Sequence, residues 1–432
     1  MSVATTKTKF KSDFLNIISE RGLLNQCSNL EGLDAQLAKG CQSGYCGFDP
    51  TARSLHIGNL VPVMLMYWFQ QCGHKPYTLV GQATSMIGDP SFKDKSRPML
   101  SVDDIAGNVR NIQQCYSQFL NYTKTAGHNN AQMLNNADWI MKLNYMEFLR
   151  DFGPYFTVNR MLSFDSVKLR LDREQPLTFL EFNYMIIQGY DFYHLYRENG
   201  IVLQMGGSDQ WGNMINGVDL IHKKLGKEAF VLTVPLLTTS SGQKMGKSEG
   251  NAVWIDRELY ESQKYWQYWR NVEDADVGRF LRIFTALPMD EIVRLEQLQG
   301  AEINEAKKIL ADEATKICRG AEDALAARLT AEKTFEQGGV GDDLPTLYIP
   351  IDRLAATFTM FDAFLETGLV ASKGEMRRLV QGNGARVNDQ VIGNADDLLT
   401  TRDLMDDVNG SGGCYIKLSS GKKNHRLVKL KI

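Results

Sequence analysis

Five short polar stretches of this 432-residue chain carry side chains of a kind that could do chemistry. In "YCGFDPTARSLHIGN" a strand-like run turns into the start of an apolar helix, and His56 and Asn59 share one side of its first turn with Gly58 between them. Glycine inside a helix costs about 1 kcal/mol relative to alanine, so Gly58 suits a place where a flat ring or a phosphate comes close to the backbone. Standing alone, His-x-Gly more often marks a helix start with a satisfied histidine. In "NYMIIQGYD" the residues Tyr184, Gln188 and Asp191 recur at i, i+4 and i+7, a phenol, an amide and a carboxylate along one stripe. Buried, that stripe needs partners; the other reading is a wet helix face. "QMGGSDQWGN" bends through two glycines into a helix, with Asp209 and Gln210 at the bend, which suits ligand approach or a structural turn. "GQATSMIGDPSFKDKSR" sets Lys93 and Arg97 in a loop that alone is merely solvated. "KMGKS" sets Lys244 and Lys247 on a polar arm, and two ammonium groups there suit a polyphosphate held only during reaction, although loop lysines are usually solubilising.

The elements that must position these residues alternate. "SGYCGF", "KPYTLVG" and "GIVLQMGG" read as strands, while "LVPVMLMYWFQQCG" and "WGNMINGVDLIHKKLG" read as helices. Such alternation predicts an α/β, Rossmann-like, doubly wound parallel sheet with crossover helices. In that architecture ligands sit outside the carboxyl ends of the strands, where these polar stretches fall. From about Asp138 to Asp191 the pattern is helical, as it is from about Leu259 to Glu336. "EQGGVGDDLP" reads as a linker, and a small α+β segment follows. The predicted division is residues 1–237 as the catalytic domain with a helical insertion, 238–336 as the lysine loop and a helical domain, 337–351 as linker and 352–432 as a small C-terminal domain.

Composition narrows the function classes. A net charge of −3 argues against wholesale attraction to nucleic acid or membrane, so any polyanionic partner must meet a local patch. Seven scattered cysteines with no C-x-x-C pair indicate neither a disulfide framework nor a zinc site, and no metal ligands are predicted. The N-terminal "MSVATTKTKFKSDF" is basic and Thr-rich, but Asp13 comes early and no apolar core follows, so the expected location is the cytoplasm. No run reaches the roughly 20 apolar residues of a membrane span.

Taken in order, "HIGN" and the later "KMGKS" resemble the HIGH and KMSKS signatures of the class I aminoacyl-tRNA synthetases. With "YCGFDPTAR", "IGDPSFK", "QGYDF", "LQMGGSDQWGN" and "KMGKSEGNAVW", nearly the whole chain is similar to the bacterial tyrosyl-tRNA synthetases. The resemblance implies activation of L-tyrosine with ATP, release of pyrophosphate and transfer of the tyrosyl group to the terminal adenosine of tRNA(Tyr), in a homodimer. It implies Tyr45 and Asp191 at the substrate phenol, Tyr184, Gln188 and Asp89 at its ammonium and Gln210 near its carboxylate. For ATP it implies Thr51 and His56 at the γ-phosphate and Lys93, Arg97, Lys244 and Lys247 closing over pyrophosphate. Gly47, Gly58 and Asn59 would line the nucleotide, with Asp49, Gly207 and Asp209 toward the ribose, and Mg2+ would arrive with ATP. Two departures stand out: the second signature histidine is Asn59, which keeps a donor of similar reach but no imidazole charge, and the lysine loop carries a glycine where the family motif has serine.

The segment "SKGEMRRLVQGNGARVND" resembles a small RNA-binding domain attached to these enzymes, with Lys373, Arg377 and Arg378 on one helix as tRNA contacts. The tail that follows adds Lys417, Lys422, Lys423, Arg426, Lys429 and Lys431 with no acidic residue after Asp407, the local basic patch that the overall charge requires. The segment around 120 to 180 is the expected dimer contact. Rival readings are the related tryptophanyl enzyme, a nucleotidyltransferase with a similar His-x-Gly motif and an inactive RNA-binding protein on the same scaffold.

Overall fold

Strands that are covered on both faces read as near-continuous apolar runs, and the central strands of this chain do so. In the computed structural model, which describes residues 10–91, 101–123, 128–240, 242, 245, 252–335, 344–406, 414–421 and 424–431, β3 (Lys75–Val80) is buried after its first residue and β6 (Phe230–Val234) throughout. With β1 (Gln26–Cys27), β2 (Ser43–Phe48), β4 (Gln132–Asn135) and β5 (Ile201–Gly207) they form one six-stranded sheet, ordered β1-β6-β5-β2-β3-β4. All neighbours pair in parallel except β1, which runs antiparallel along the β6 edge. This is the doubly wound α/β sheet that the alternating runs predict. The strand order reverses between β2 and β5, so the switch point where such sheets bind ligands lies above Phe48 and Gly207.

Two helices frame that point. Leu60–Gln71 follows the "HIGN" turn and is apolar on nearly every side, ten of its residues being buried, as expected of a helix enclosed by the core. Phe179–Asn199 starts in a reciprocal cap between Thr178 and Glu181 and stops at Gly200, whose φ of 65° is the left-handed conformation that ends helices. Because the long helix is fixed at both ends, Tyr184, Gln188 and Asp191 are presented from one rigid rod.

The chain divides into two compact units, Met1–Ala321 and Glu322–Ile432, so residues 238–321 lie in the same unit as the sheet. The second unit has its own sheet, in which β7 (Thr346–Ile349), β8 (Ala385–Val387), β9 (Gln390–Val391), β11 (Cys414–Ser420) and β12 (Asn424–Leu430) run in the order β7-β12-β11-β8-β9, with β10 (Met405–Asp406) on β11. Its core includes Phe358, Phe364, Ile416, Leu418 and Val428. Strand β7 occupies part of the stretch expected as linker: "TLYI", set between Pro345 and Pro350, pairs in parallel with β12 from Thr346↔Leu427 to Ile349↔Leu430.

Candidate active site

Beyond the carboxyl end of β2, Asp49 is the first hub. Its Oδ2 accepts from the Tyr184 hydroxyl at 2.9 Å, and its Oδ1 accepts from Thr84 Oγ1 at 2.6 Å. Asn136, at the end of β4, donates through Nδ2 to Thr84 Oγ1 (3.1 Å) and to Asp191 Oδ2 (3.0 Å). Trp139 Nε1 donates to the other oxygen of Asp191 at 2.7 Å. A continuous polar chain therefore runs Tyr184, Asp49, Thr84, Asn136, Asp191, Trp139. Burial lifts the Asp191 carboxyl to about 7 although the Asn136 and Trp139 bonds pull it down, and nearby Asp49 lifts it further.

Tyr45 lies inside this arrangement. It is 1% exposed, its hydroxyl has no hydrogen-bond partner among the described residues, and burial followed by the neighbouring Asp191 charge holds its phenol well above the usual range. Gln188 Oε1 and Gln204 Oε1 are likewise buried without partners among the described residues, and Gln204 sits directly across from Tyr45 in the β2/β5 register. Buried polar atoms are rarely left unpaired. A ligand bearing a hydroxyl and other polar groups fits this donor and acceptor set.

A second cluster forms where β5 ends. Gln210 Nε2 donates to Asp89 Oδ2 at 2.9 Å and to Asp209 Oδ2 at 3.3 Å, while Asn213 Nδ2 reaches Asp89 Oδ1 and Gln210 Oε1. Asp89 also accepts from the Ser91 amide, 3.0 Å away. Gly207 begins this bend in extended conformation, and Gly47 is exposed near the carboxyl end of the neighbouring β2.

The "HIGN" turn is a reciprocal cap. His56 Nδ1 accepts from the Gly58 amide (3.1 Å) and Asn59 Oδ1 accepts from the His56 amide (3.0 Å). Accepting at Nδ1 leaves Nε2 as the protonated nitrogen, a donor suited to an anion. Asparagine in place of the second histidine thus closes the reciprocal cap by accepting from the His56 amide. The need for glycine at 58 is also visible: a Cβ there would lie 2.9 Å from His56 Cε1 and 3.1 Å from the Met245 carbonyl oxygen. The backbone of the lysine loop at Met245 is therefore one of the groups that comes close. Residues 252–256 return antiparallel to this turn, with Ile57 N donating to Val253 O and Ile255 N to Leu55 O. Thr51 is half-buried at the start of the same loop, its amide bonded to the Asp49 carbonyl. Lys93, Arg97, Lys244 and Lys247 lie outside the described residues.

The sequence reading missed Thr84, Asn136, Trp139, Asn213 and Gln204. Thr84, Gln204 and Asn213 stand inside quoted stretches but carried no role there, and Asn136 and Trp139 lie outside them; the sheet order β5-β2-β3-β4 is what gathers their side chains at one end. In the second unit, Lys373, Arg377 and Arg378 are exposed on the helix Lys373–Gln381. Lys417 departs from the expected basic face: it is 3% exposed and its ammonium bonds Asp389 Oδ1 at 2.9 Å, on β11, the middle strand of the order β7-β12-β11-β8-β9. Lys422 and Lys423 lie outside the described residues.

A parallel sheet with its polar site at the switch point, joined by a His-x-Gly turn to a lysine loop, defines a nucleotide-activating enzyme of the synthetase kind. The chain belongs to the class I tRNA synthetases of the tryptophan and tyrosine type, whose family model matches residues 41–336. It is 54% identical over 420 residues to a tyrosine–tRNA ligase of Rhodospirillum rubrum, covering 97% of this chain and 98% of that one. A tyrosine–tRNA ligase of Mesorhizobium japonicum is also 54% identical, over 97% of this chain and 99% of its own. Among solved structures, a C-terminally truncated mitochondrial tyrosyl-tRNA synthetase of Aspergillus nidulans superposes with a TM-score of 0.67 at 29% identity, over 76% of this chain and 95% of that one. Among the described residues, no helix is long and apolar enough to cross a membrane.

Proposed function

We propose that this chain activates L-tyrosine with MgATP and transfers it to tRNA(Tyr). The observation that carries the tyrosine assignment is the buried pair at the base of the site: a carboxylate, Asp191, beside a tyrosine hydroxyl, Tyr45, that lacks a partner among the described residues. A substrate phenol donates to the first and accepts from the second. Tyr184, Gln188 and Asp89 then surround the ammonium, and Gln210 the carboxylate, which leaves the acid group directed toward the β2/β5 crest. Asp49 would be shared between the ammonium side and the ribose, with Gly207 and Asp209 on the ribose and Gly47, Gly58 and Asn59 along the nucleotide.

The first step needs no protein nucleophile. A carboxylate oxygen of tyrosine attacks the α-phosphorus, the Pα–O–Pβ bond breaks and pyrophosphate leaves with its magnesium. The protein orients the two reactants and stabilises charge that develops on the phosphates. Thr51 and the Nε2 proton of His56 serve the γ-phosphate end, and Lys93, Arg97, Lys244 and Lys247 neutralise the departing group. In the second step a terminal ribose hydroxyl of the tRNA attacks the acyl carbon and AMP leaves. Lys373, Arg377 and Arg378 offer an exposed basic helix to the tRNA backbone.

The chain works as a homodimer in this reading. Met141, Tyr145, Met146, Val158 and Phe179 are 60 to 72% exposed within the segment 141–179, an apolar density that a second copy would cover. The experiment for the reading as a whole is charging: purified protein with tyrosine, MgATP and tRNA forms tyrosyl-tRNA, and failure to form it with active tRNA overturns the assignment.

A further inference from the structure

Trp139 holds one oxygen of Asp191 at 2.7 Å, yet it sits on a helix of only four residues, Ala137–Ile140, whose cap residue Asn136 makes no side-chain cap bond because that side chain is committed to Ala83, Thr84 and Asp191. So short a helix cannot fix its own side chains. The indole is oriented from outside. His194 stacks on it, ring centroids 4.5 Å apart and planes inclined by 16°. Asp191 and His194 are three residues apart on Phe179–Asn199 and so face the same side of that rod. One rigid helix therefore grips the indole twice, at its N–H edge through Asp191 and on its face through His194. Tyr190 packs beside the imidazole at 6.2 Å.

We propose that His194 is a positioning residue for tyrosine selection: by holding the Trp139 indole in plane it keeps the Trp139–Asp191 bond aligned, and with it the orientation of the carboxylate whose remaining lone pairs receive the substrate phenol. The proposal rests on the reading of Asp191 as the phenol acceptor. His194 touches no reacting atom, so its effect falls on tyrosine binding and on tyrosine-over-phenylalanine preference, not on the phosphate chemistry. Among the described residues its buried Nδ1 has no hydrogen-bond partner, and its contact with Trp139 is made through the ring's flat face, which a phenyl ring also offers.

The test is tyrosine-dependent exchange of labelled pyrophosphate into ATP. His194→Ala raises KM for tyrosine about three- to tenfold, the range expected for loss of one aromatic pair, with kcat and KM for ATP within about twofold and a matching loss of preference over phenylalanine. His194→Phe restores wild-type constants. In a Trp139→Phe background, where the N–H is already gone, His194→Ala adds less than about twofold. Should the alanine variant fail to fold, His194→Gln, which keeps bulk without a ring, shows the same rise. Unchanged constants with a lowered melting temperature, a Phe variant as impaired as the Ala variant, or an equal penalty in both backgrounds overturns the proposal. A wild-type protein without tyrosine-dependent exchange overturns the site reading itself, and the proposal falls with it.

Discussion

Asp191→Asn is the perturbation whose size follows most directly from the geometry. The carboxyl is 2% exposed and titrates near 7 in the fold against 3.8 when free. A difference of about three units corresponds to roughly 4 kcal/mol of cost for ionising it in place. Its folded value lies above its unfolded one, so the stabilisation is full below pH 3.8 and is lost as pH rises toward 7, then stays level. Between pH 5 and pH 8.5 the wild type loses roughly 3 kcal/mol through this group, and the asparagine variant loses none of it. The amide oxygen can accept from only one of Asn136 and Trp139 and turns its own donors toward the other, a pH-independent penalty of about 1–3 kcal/mol. The variant is thus close to the wild type or weaker at pH 5 and gains on it by about 3 kcal/mol at pH 8.5, while tyrosine binding is lost. All six tryptophans lie in the unit Met1–Ala321, so urea unfolding followed by tryptophan fluorescence reads that unit alone. A stability difference that changes by less than about 1 kcal/mol across this window would refute a desolvated carboxylate at Asp191.

Tyr45→Phe removes a buried hydroxyl that has no partner among the described residues, so the unfolding free energy from urea titration holds or rises by up to about 1 kcal/mol while KM for tyrosine climbs about tenfold or more; a destabilised variant with normal KM contradicts the pocket assignment. Gly58→Ala forces a methyl against the Met245 carbonyl and the His56 ring. The expected result is a loss of about 1–3 kcal/mol and a slower exchange rate with tyrosine affinity retained, measured by exchange and equilibrium dialysis. Phe179→Glu places a charge on the most exposed large apolar side chain of the segment 141–179, so sedimentation should show protomers where the wild type shows dimers.

The framework of the site was legible because it depends on local chemistry. "SGYCGF" and "GIVLQMGG" announce strands by their apolar runs, and the bend "GGSDQ" and the turn "HIGN" announce strand-to-helix crossings, so the switch point between β2 and β5 follows. The stripe Tyr184, Gln188, Asp191 was readable from helical spacing alone. What was not legible depends on the third dimension. Asn136 and Trp139 meet Asp191 only because β4 lies beside β3, and Thr84 links Asp49 to Asn136 only because the turn after β3 passes over Asp49. Gly58 was read as room for a nucleotide, and the approach of the Met245 carbonyl, nearly two hundred positions away, could not be seen from spacing. Lys417 looked like tail charge because a lysine in a basic run carries no mark of its burial against Asp389.

The central claim is that a desolvated carboxylate and an unpartnered phenol choose the substrate. Amino-acid-dependent pyrophosphate exchange with tyrosine, phenylalanine and tryptophan on the wild-type protein tests it most directly. With phenylalanine bound, Tyr45 stays unpaired and Asp191 lacks the phenol donor beside its Asn136 and Trp139 bonds, at about 1–3 kcal/mol for each group, so phenylalanine should be activated about thirty- to twenty-thousandfold less efficiently than tyrosine, as kcat/KM, and tryptophan no better. Phenylalanine or tryptophan activated as well as tyrosine would contradict the account.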